Sequence, residues 1–355
     1  MRRPIMKIKH GLTLRLLAGM SLALVLVATG CAQPASRGPE PDAATLVSVP
    51  LEPTRSGAVV QANVNGKGPF GLILDSGSEA TFLSHEIVGP LGDGVEVIRS
   101  AEGVYDRTAW EKARIQVPSI TIGDLTLRDA SAVVADLSVL FGGEETPGGL
   151  LALGLFSEYL VTIDYPGERF LVRKGALPPV NDDDVLEYIE AEVRDKPRRY
   201  PAIQLQVAGQ VLRARLDVAT GGGIMLPTEF MKTLPLAGEP GRMAMARMPD
   251  GDFDILGSVL DGVATIGAHS LERPKLRFSE LYDDASLGTD LLDQFALTFD
   301  QLNRRVRFER PADYRDPLHE EAAHVGPISG DGVDLRTAFN DNAAKVQLLL
   351  ILSPT

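Results

Sequence analysis

Val60-Gln61-Ala62-Asn63-Val64 alternates apolar and polar positions and then meets Asn65-Gly66, the pattern of a half-buried strand closed by a turn. Leu72-Ile73-Leu74 follows and ends on Asp75; a small-residue loop then leads to Thr81-Phe82-Leu83. The same order returns later. Ile203-Gln204-Leu205-Gln206-Val207 meets Ala208-Gly209, Ala214-Arg215-Leu216 ends on Asp217, and Ile224-Met225-Leu226-Pro227 closes the block. Each block reads as a strand, a turn, a second strand ending on an aspartate, a small loop and a third strand.

The two blocks also close alike. Leu150 to Phe156 precedes Tyr159-Leu160-Val161-Thr162-Ile163-Asp164, and Leu287 to Leu292 precedes Phe295-Ala296-Leu297-Thr298-Phe299-Asp300. A turn and one further strand follow in each case, Arg169 to Arg173 and Arg305 to Glu309. Asp75 and Asp217 are 142 residues apart and Asp164 and Asp300 are 136 apart, so two matched features recur in order at nearly one offset. The sequence is read as an internal repeat made by duplication. Asp164 and Asp300, at strand-to-turn positions, are expected to form turns.

These repeats set the expected boundaries: a first lobe over 46–177, a proline-then-acid linker over 178–184, and a second lobe over 185–310. A polar connector at 311–332 and a separate segment at 333–355 follow. In that last segment Lys345 to Leu352 is an apolar strand candidate, similar to the first strand of a thioredoxin-like domain cut short after Thr355. The competing expectation packs it on a lobe.

Composition adds detail without changing this picture. Thirty-five glycines and 24 prolines with 6% aromatic residues fit many short strands joined by turns. A net charge of −13, with no basic cluster beyond the first ten residues, argues against a nucleic-acid partner. His319 and His324 lie five apart rather than the four that a zinc-binding helix needs, so no metal is expected there. No phosphate loop or Gly-x-Ser-x-Gly elbow occurs, and no cofactor is implied.

The N-terminus reads as an address. Arg2, Arg3, Lys7 and Lys9 precede the mostly apolar stretch Leu12 to Val27, the layout of an export signal over residues 1–30. It ends in small residues before Cys31, the only cysteine in the chain, and so resembles a bacterial lipobox whose cysteine is lipidated. Residues 31–45, rich in Pro, Ala, Gly and Ser, are read as a tether. Removing 1–30 leaves 30 basic residues against 48 acidic ones, so a basic patch cannot assist the lipids in holding the membrane. By this resemblance the protein is lipid-anchored in the cell envelope, on the periplasmic face of the outer membrane.

The candidate chemistry lies in the aspartate loops. Asp75-Ser76-Gly77-Ser78 ends an apolar strand; glycine permits close approach, and a serine hydroxyl can bond across to a partner loop. Two such loops meeting on a two-fold axis put two carboxylates in one site. Both cannot ionise at such range, so the pair keeps one proton. The ionised member can then draw a proton from water while the other polarises a carbonyl.

At Asn65 to Phe70 and at Leu74 to Ser78 the chain resembles the aspartyl proteases of the retropepsin and pepsin type. Leu150 to Phe156 and Leu287 to Leu292 look like that family's apolar-glycine segment, with Gly154 and Gly288 as the matching glycines. The resemblance covers about residues 46–310. It implies a mainly β fold of two pseudo-two-fold-related β-barrel lobes with an active-site cleft between them, and a catalytic pair Asp75 and Asp217. The implied activity is endopeptidic hydrolysis of a peptide or protein substrate. Ser76, Gly77 and Ser78 support the first loop. The second loop departs, with Val218 and Ala219 where hydroxyl and glycine are expected; Ala219 resists a left-handed turn, and Thr220 and Gly221 are read as replacements across a one-residue bulge. Tyr105 is the candidate tip of a flap, with Trp110 nearby. The rival reading is a bilobal envelope lipoprotein that binds peptides or proteins after losing the chemistry. A third reading makes the lobes hold substrate for a missing redox domain. Oligomeric state is not legible from the sequence.

Overall fold

The computed structural model describes residues 42–311, apart from 55–56, 79, 95, 101–112, 142–145, 182, 194–195 and 249–250. The signal segment, Cys31, most of the tether, the Tyr105 flap, Trp110, His319, His324 and the 333–355 segment therefore lie outside the described residues.

The fold is mainly β, in three sheets. Tight turns begin each half. Val64 pairs with Lys67 across Asn65 and Gly66, at φ of 46° and 73°; Val207 pairs with Gln210 across Ala208 and Gly209, at 48° and 81°. Two left-handed residues in a two-residue loop give the twist that adjoining antiparallel strands need.

The strands then assemble in one spatial order twice. In the first half Glu96–Ser100, Ala113–Ile122, Leu125–Ala135, Thr81–Ser84, Gly149–Ala152, Lys67–Asp75 and Gly57–Val64 lie side by side. In the second, Gly241–Met248, Gly251–Val259, Lys275–Ser279, Ile224–Pro227, Ala285–Leu287, Gln210–Leu216 and Lys196–Val207 do the same. Each aspartate strand runs parallel to the apolar segment from the end of its own half, Asp75 opposite Ala152 and Leu216 opposite Leu287.

A six-stranded sheet joins the halves, in the order Thr45–Pro50, Arg169–Arg173, Leu160–Asp164, Ala296–Asp300, Arg305–Glu309, Val185–Glu187. Its two central strands are antiparallel, with Thr162 opposite Thr298 and Leu160 opposite Asp300. Thr162 and Thr298 are themselves 136 apart, so equivalent residues meet and the pseudo-two-fold axis passes between them. Large buried aromatics pack against this region, with Phe156 against Phe170 at 5.5 Å and Phe295 against Phe308 at 5.3 Å, both edge-on.

Asp164 and Asp300 are buried turn-formers. Asp164 accepts the Gly167 N–H at 2.8 Å and pairs with Arg169 at 3.0 Å; Asp300 accepts the N–H groups of Asn303 and Leu177. In the connector between the halves Asn181 Oδ1 accepts the N–H groups of Asp183, Asp184 and Val185.

Candidate active site

Asp75 ends the strand Lys67–Asp75 and Asp217 directly follows Gln210–Leu216; Leu74 and Leu216 before them are buried, and the two loops meet. Ser76 Oγ donates to the Leu216 carbonyl at 2.7 Å and accepts the Val218 N–H at 3.1 Å. One hydroxyl from the first half thus satisfies two backbone groups on either side of Asp217. The reverse bond is missing, because the position equivalent to Ser76 is Val218, fully buried and without a hydroxyl. Its carbonyl instead accepts the Tyr165 hydroxyl at 3.3 Å.

The carboxylates are held in parallel fashion. The Gly77 N–H donates to Asp75 Oδ1 at 2.7 Å, and the Ala219 N–H donates to Asp217 Oδ1 at 3.2 Å. Gly77 also lies beside the other aspartate: a Cβ there would be 3.1 Å from the Asp217 carboxyl carbon. One backbone unit therefore bonds to one carboxylate and lies next to the other, and the Asp217 charge acts on Asp75, so the two share one site. Neither Gly77 nor Ala219 has a left-handed backbone. The expected conformational penalty at Ala219 is absent, and the glycine requirement at 77 is one of space beside Asp217.

The electrostatics follow from this crowding. Burial first, then the Asp217 charge, pushes the Asp75 carboxyl up to about 7, against the opposing N–H groups of Gly77 and Ser78. Burial also raises Asp217, opposed by the Thr220 hydroxyl, the Arg215 charge and the Ala219 N–H. The pair thus retains a proton to near neutrality.

Of the supporting residues, Ser76, Gly77 and Ser78 hold the first loop; Ser78 gives its N–H to Asp75 and its hydroxyl to the Ala80 carbonyl at 2.7 Å. Thr220 turns its hydroxyl to its own Asp217 and does not supply the missing cross-loop bond. The second loop does carry one extra residue. Phe82 pairs with Leu150 and Met225 with Ser286, so an offset of 142 at the aspartates has become 143 at the following strand. Gly221 lies within that longer stretch, whose Thr220 and Gly222 carbonyls accept the N–H groups of Thr289 and Asp290 at 2.9 Å each.

The matching of Gly154 with Gly288 is corrected by the strand register. Gly288 precedes the short helix Thr289–Leu292, as Ala152 precedes the turn Leu153–Phe156, and 152 to 288 is again 136. A Cβ on Gly288 would lie 2.6 Å from the carbonyls of both Thr220 and Gly222, whereas nothing lies within 4 Å of one on Gly154. Sequence reasoning also missed Tyr165. The one signal for it was its place directly after the repeated Asp164. Its repeat equivalent, Gln301, likewise reaches across to the opposite half, donating to the Leu153 carbonyl at 2.8 Å.

Residues 60–154 match a family model described as aspartyl protease. The match takes in the Asp75 loop and leaves the Asp217 half outside. Together with the mainly β sheets it gives the fold as aspartic-protease-like. No curated protein matches the chain.

Proposed function

We propose that the protein is an aspartic-type endopeptidase whose catalytic pair is Asp75 and Asp217. The observation that carries this reading is the buried loop at Gly77, bonded to Asp75 and lying beside Asp217, whose charge acts on Asp75. In this mechanism Asp75 keeps the shared proton and Asp217 is ionised. Asp217 takes a proton from a water whose oxygen attacks the scissile carbonyl carbon, while Asp75 gives its proton to the carbonyl oxygen. The resulting diol collapses as the C–N bond breaks. The amine leaves with the proton held by Asp217, and the returning C=O gives one back to Asp75. The pair starts the next cycle with one proton.

The internal repeat supports this reading, because duplication of a strand-loop-strand unit brings two equivalent loops to one axis. The lipobox-like Cys31 adds that the enzyme works from a lipid anchor, in the envelope on the periplasmic face of the outer membrane.

The test is a quenched-fluorescent peptide library assayed from pH 4 to 8. Asp75→Asn and Asp217→Asn are each expected to lower kcat/KM by at least 10³-fold, with unchanged far-UV circular dichroism. Cleavage that survives both changes removes these residues from the mechanism. The second reading, a peptide-binding protein without chemistry, is favoured by the one-sided hydroxyl bridge at Val218. It wins if the wild type binds library peptides and cleaves none.

A further inference from the structure

Beside each aspartate the sheet presents a row of side chains in register, and the two rows differ in chemistry. In the first half Ile73 lies opposite Leu150, Leu150 opposite Phe82, and Phe82 opposite Val133. Ile73 is two residues before Asp75, hence on the same face of its strand. These four belong to one buried apolar cluster with Ala135 and Leu137, against which Val59, Ala80, Phe141 and, from the second loop, Ala219 also pack.

The equivalent row in the second half is Arg215, Ser286, Met225 and Arg277, joined by the same pairings. Arg215 stands two residues before Asp217, near enough for its charge to act on that carboxylate. Ser286 is 1% exposed, and its Oγ has no hydrogen-bond partner among the described residues. The Arg215 Nε is likewise buried and unpartnered. Arg215 forms no ion pair with a carboxylate among the described residues; its guanidinium carbon lies 5.6 Å from the centre of the Tyr200 ring. Arg277 is already paired, with Asp290 at 2.7 Å. The Tyr282 hydroxyl donates to the Met225 sulfur at 3.2 Å, within the fields of Arg277, Asp217 and Arg215.

An apolar wall asks for an apolar side chain. A buried guanidinium nitrogen and a buried hydroxyl ask for an acceptor, since each costs free energy while unpaired. A carboxylate offers two oxygens and the charge to match Arg215. We infer that the site takes a peptide whose scissile bond joins an apolar residue, seated on Ile73, Leu150, Phe82 and Val133, to an aspartate or glutamate seated on Arg215 and Ser286. This inference rests on the peptidase reading for the word scissile, but the side-chain preference applies equally to binding.

The probes are four peptides identical except at the central pair: Leu-Glu, Glu-Leu, Leu-Gln and Leu-Leu. Cleavage is followed by kcat/KM with the wild type, and binding by fluorescence anisotropy with Asp75→Asn. One of the two glutamate peptides is expected to exceed Leu-Gln by at least tenfold in either readout. Arg215→Gln is expected to reduce that ratio to within threefold of unity, and Ser286→Ala to reduce it partly. If Arg215 served only to balance Asp217, its loss would move the pH profile for all four peptides alike and leave the ratio intact. A glutamate preference in binding without any cleavage overturns the peptidase reading and keeps this one. Cleavage or binding with no glutamate preference overturns this inference and leaves the peptidase reading standing, and no binding to any of the four overturns it too. The wild-type comparison needs no variant, so misfolding of Arg215→Gln cannot obscure the result.

Discussion

The hydroxyls of Thr162 and Thr298 bond to each other at 2.8 Å, buried, on the axis that relates the two halves. Each is the other's repeat equivalent, so a single pair of identical groups is satisfied by symmetry at the centre of the joining sheet. Thr298→Val is expected to leave the Thr162 hydroxyl buried without its partner and to cost about 1–3 kcal/mol. Thr162→Val also loses a contact from Arg173 at 3.5 Å, so it should cost at least as much. The double variant should recover most of the loss, short of the Arg173 contact, because valine matches threonine in shape and favours strands. Urea unfolding of the three variants measures this coupling; additive losses would show that the two hydroxyls act independently.

Gly288 and Ala152 are equivalent positions with unequal room. Gly288→Ala places a methyl 2.6 Å from two carbonyls of the Asp217 loop, and overpacking of this kind costs about 1–3 kcal/mol. Displacement of that loop should also lower kcat. Gly154→Ala meets open space and is expected to change neither stability nor rate. Melting temperatures and peptide cleavage of the two variants decide between this register and one that pairs Gly154 with Gly288.

The pH dependence follows from the direction of the Asp75 shift. Its carboxyl titrates near 3.8 in the unfolded chain and near 7 in the folded one, so between those values the folded state binds more protons. The Asp75 contribution to stability therefore falls as pH rises from about 4 to 7, by about 4 kcal/mol, and the raised Asp217 acts in the same direction. Asp75→Asn should flatten that slope and gain stability at pH 8, readable from urea midpoints at pH 5 and 8. In the proposed mechanism hydrolysis needs the shared proton, so it should decline above about pH 7.

The anchor has its own test. Cys31→Ser is expected to move the protein from the membrane to the soluble envelope fraction, as read by fractionation and by loss of radiolabelled fatty acid. Unchanged membrane association would remove Cys31 from that role.

Much of the architecture was legible because strand alternation, turn glycines and the two aspartates recur at a nearly fixed offset. The Asp75 loop was readable because Asp-Ser-Gly couples a carboxylate, a bridging hydroxyl and an uncrowded backbone in consecutive residues. Less could be read where contacts cross between distant segments. The Tyr165 bond to Val218 joins residues 53 apart, and its place after the repeated Asp164 does not reveal the partner. Glycine spacing misled at Gly154, since the need for a missing side chain arises from the carbonyls of Thr220 and Gly222, far away in the chain. The polar row beside Asp217 was hidden for a similar reason: Arg215 and Ser286 look unremarkable in separate strands, and only sheet register sets them side by side.

The central sheet has a consequence for how the protein comes off the ribosome. Leu160–Asp164 is complete long before its neighbour Ala296–Asp300 has been synthesised, so a nascent first half carries an open, fully buried-type edge in the meantime. Because the native neighbour is that strand's own repeat, the edge is complementary to itself. Two nascent copies, aligned with one Thr162 facing the other, would mimic the finished joint. Tethering both halves in one chain gives the correct neighbour the advantage of high local concentration over a stranger. The chain running from one strand to the other thus favours the intramolecular of two equivalent partners for closing the sheet.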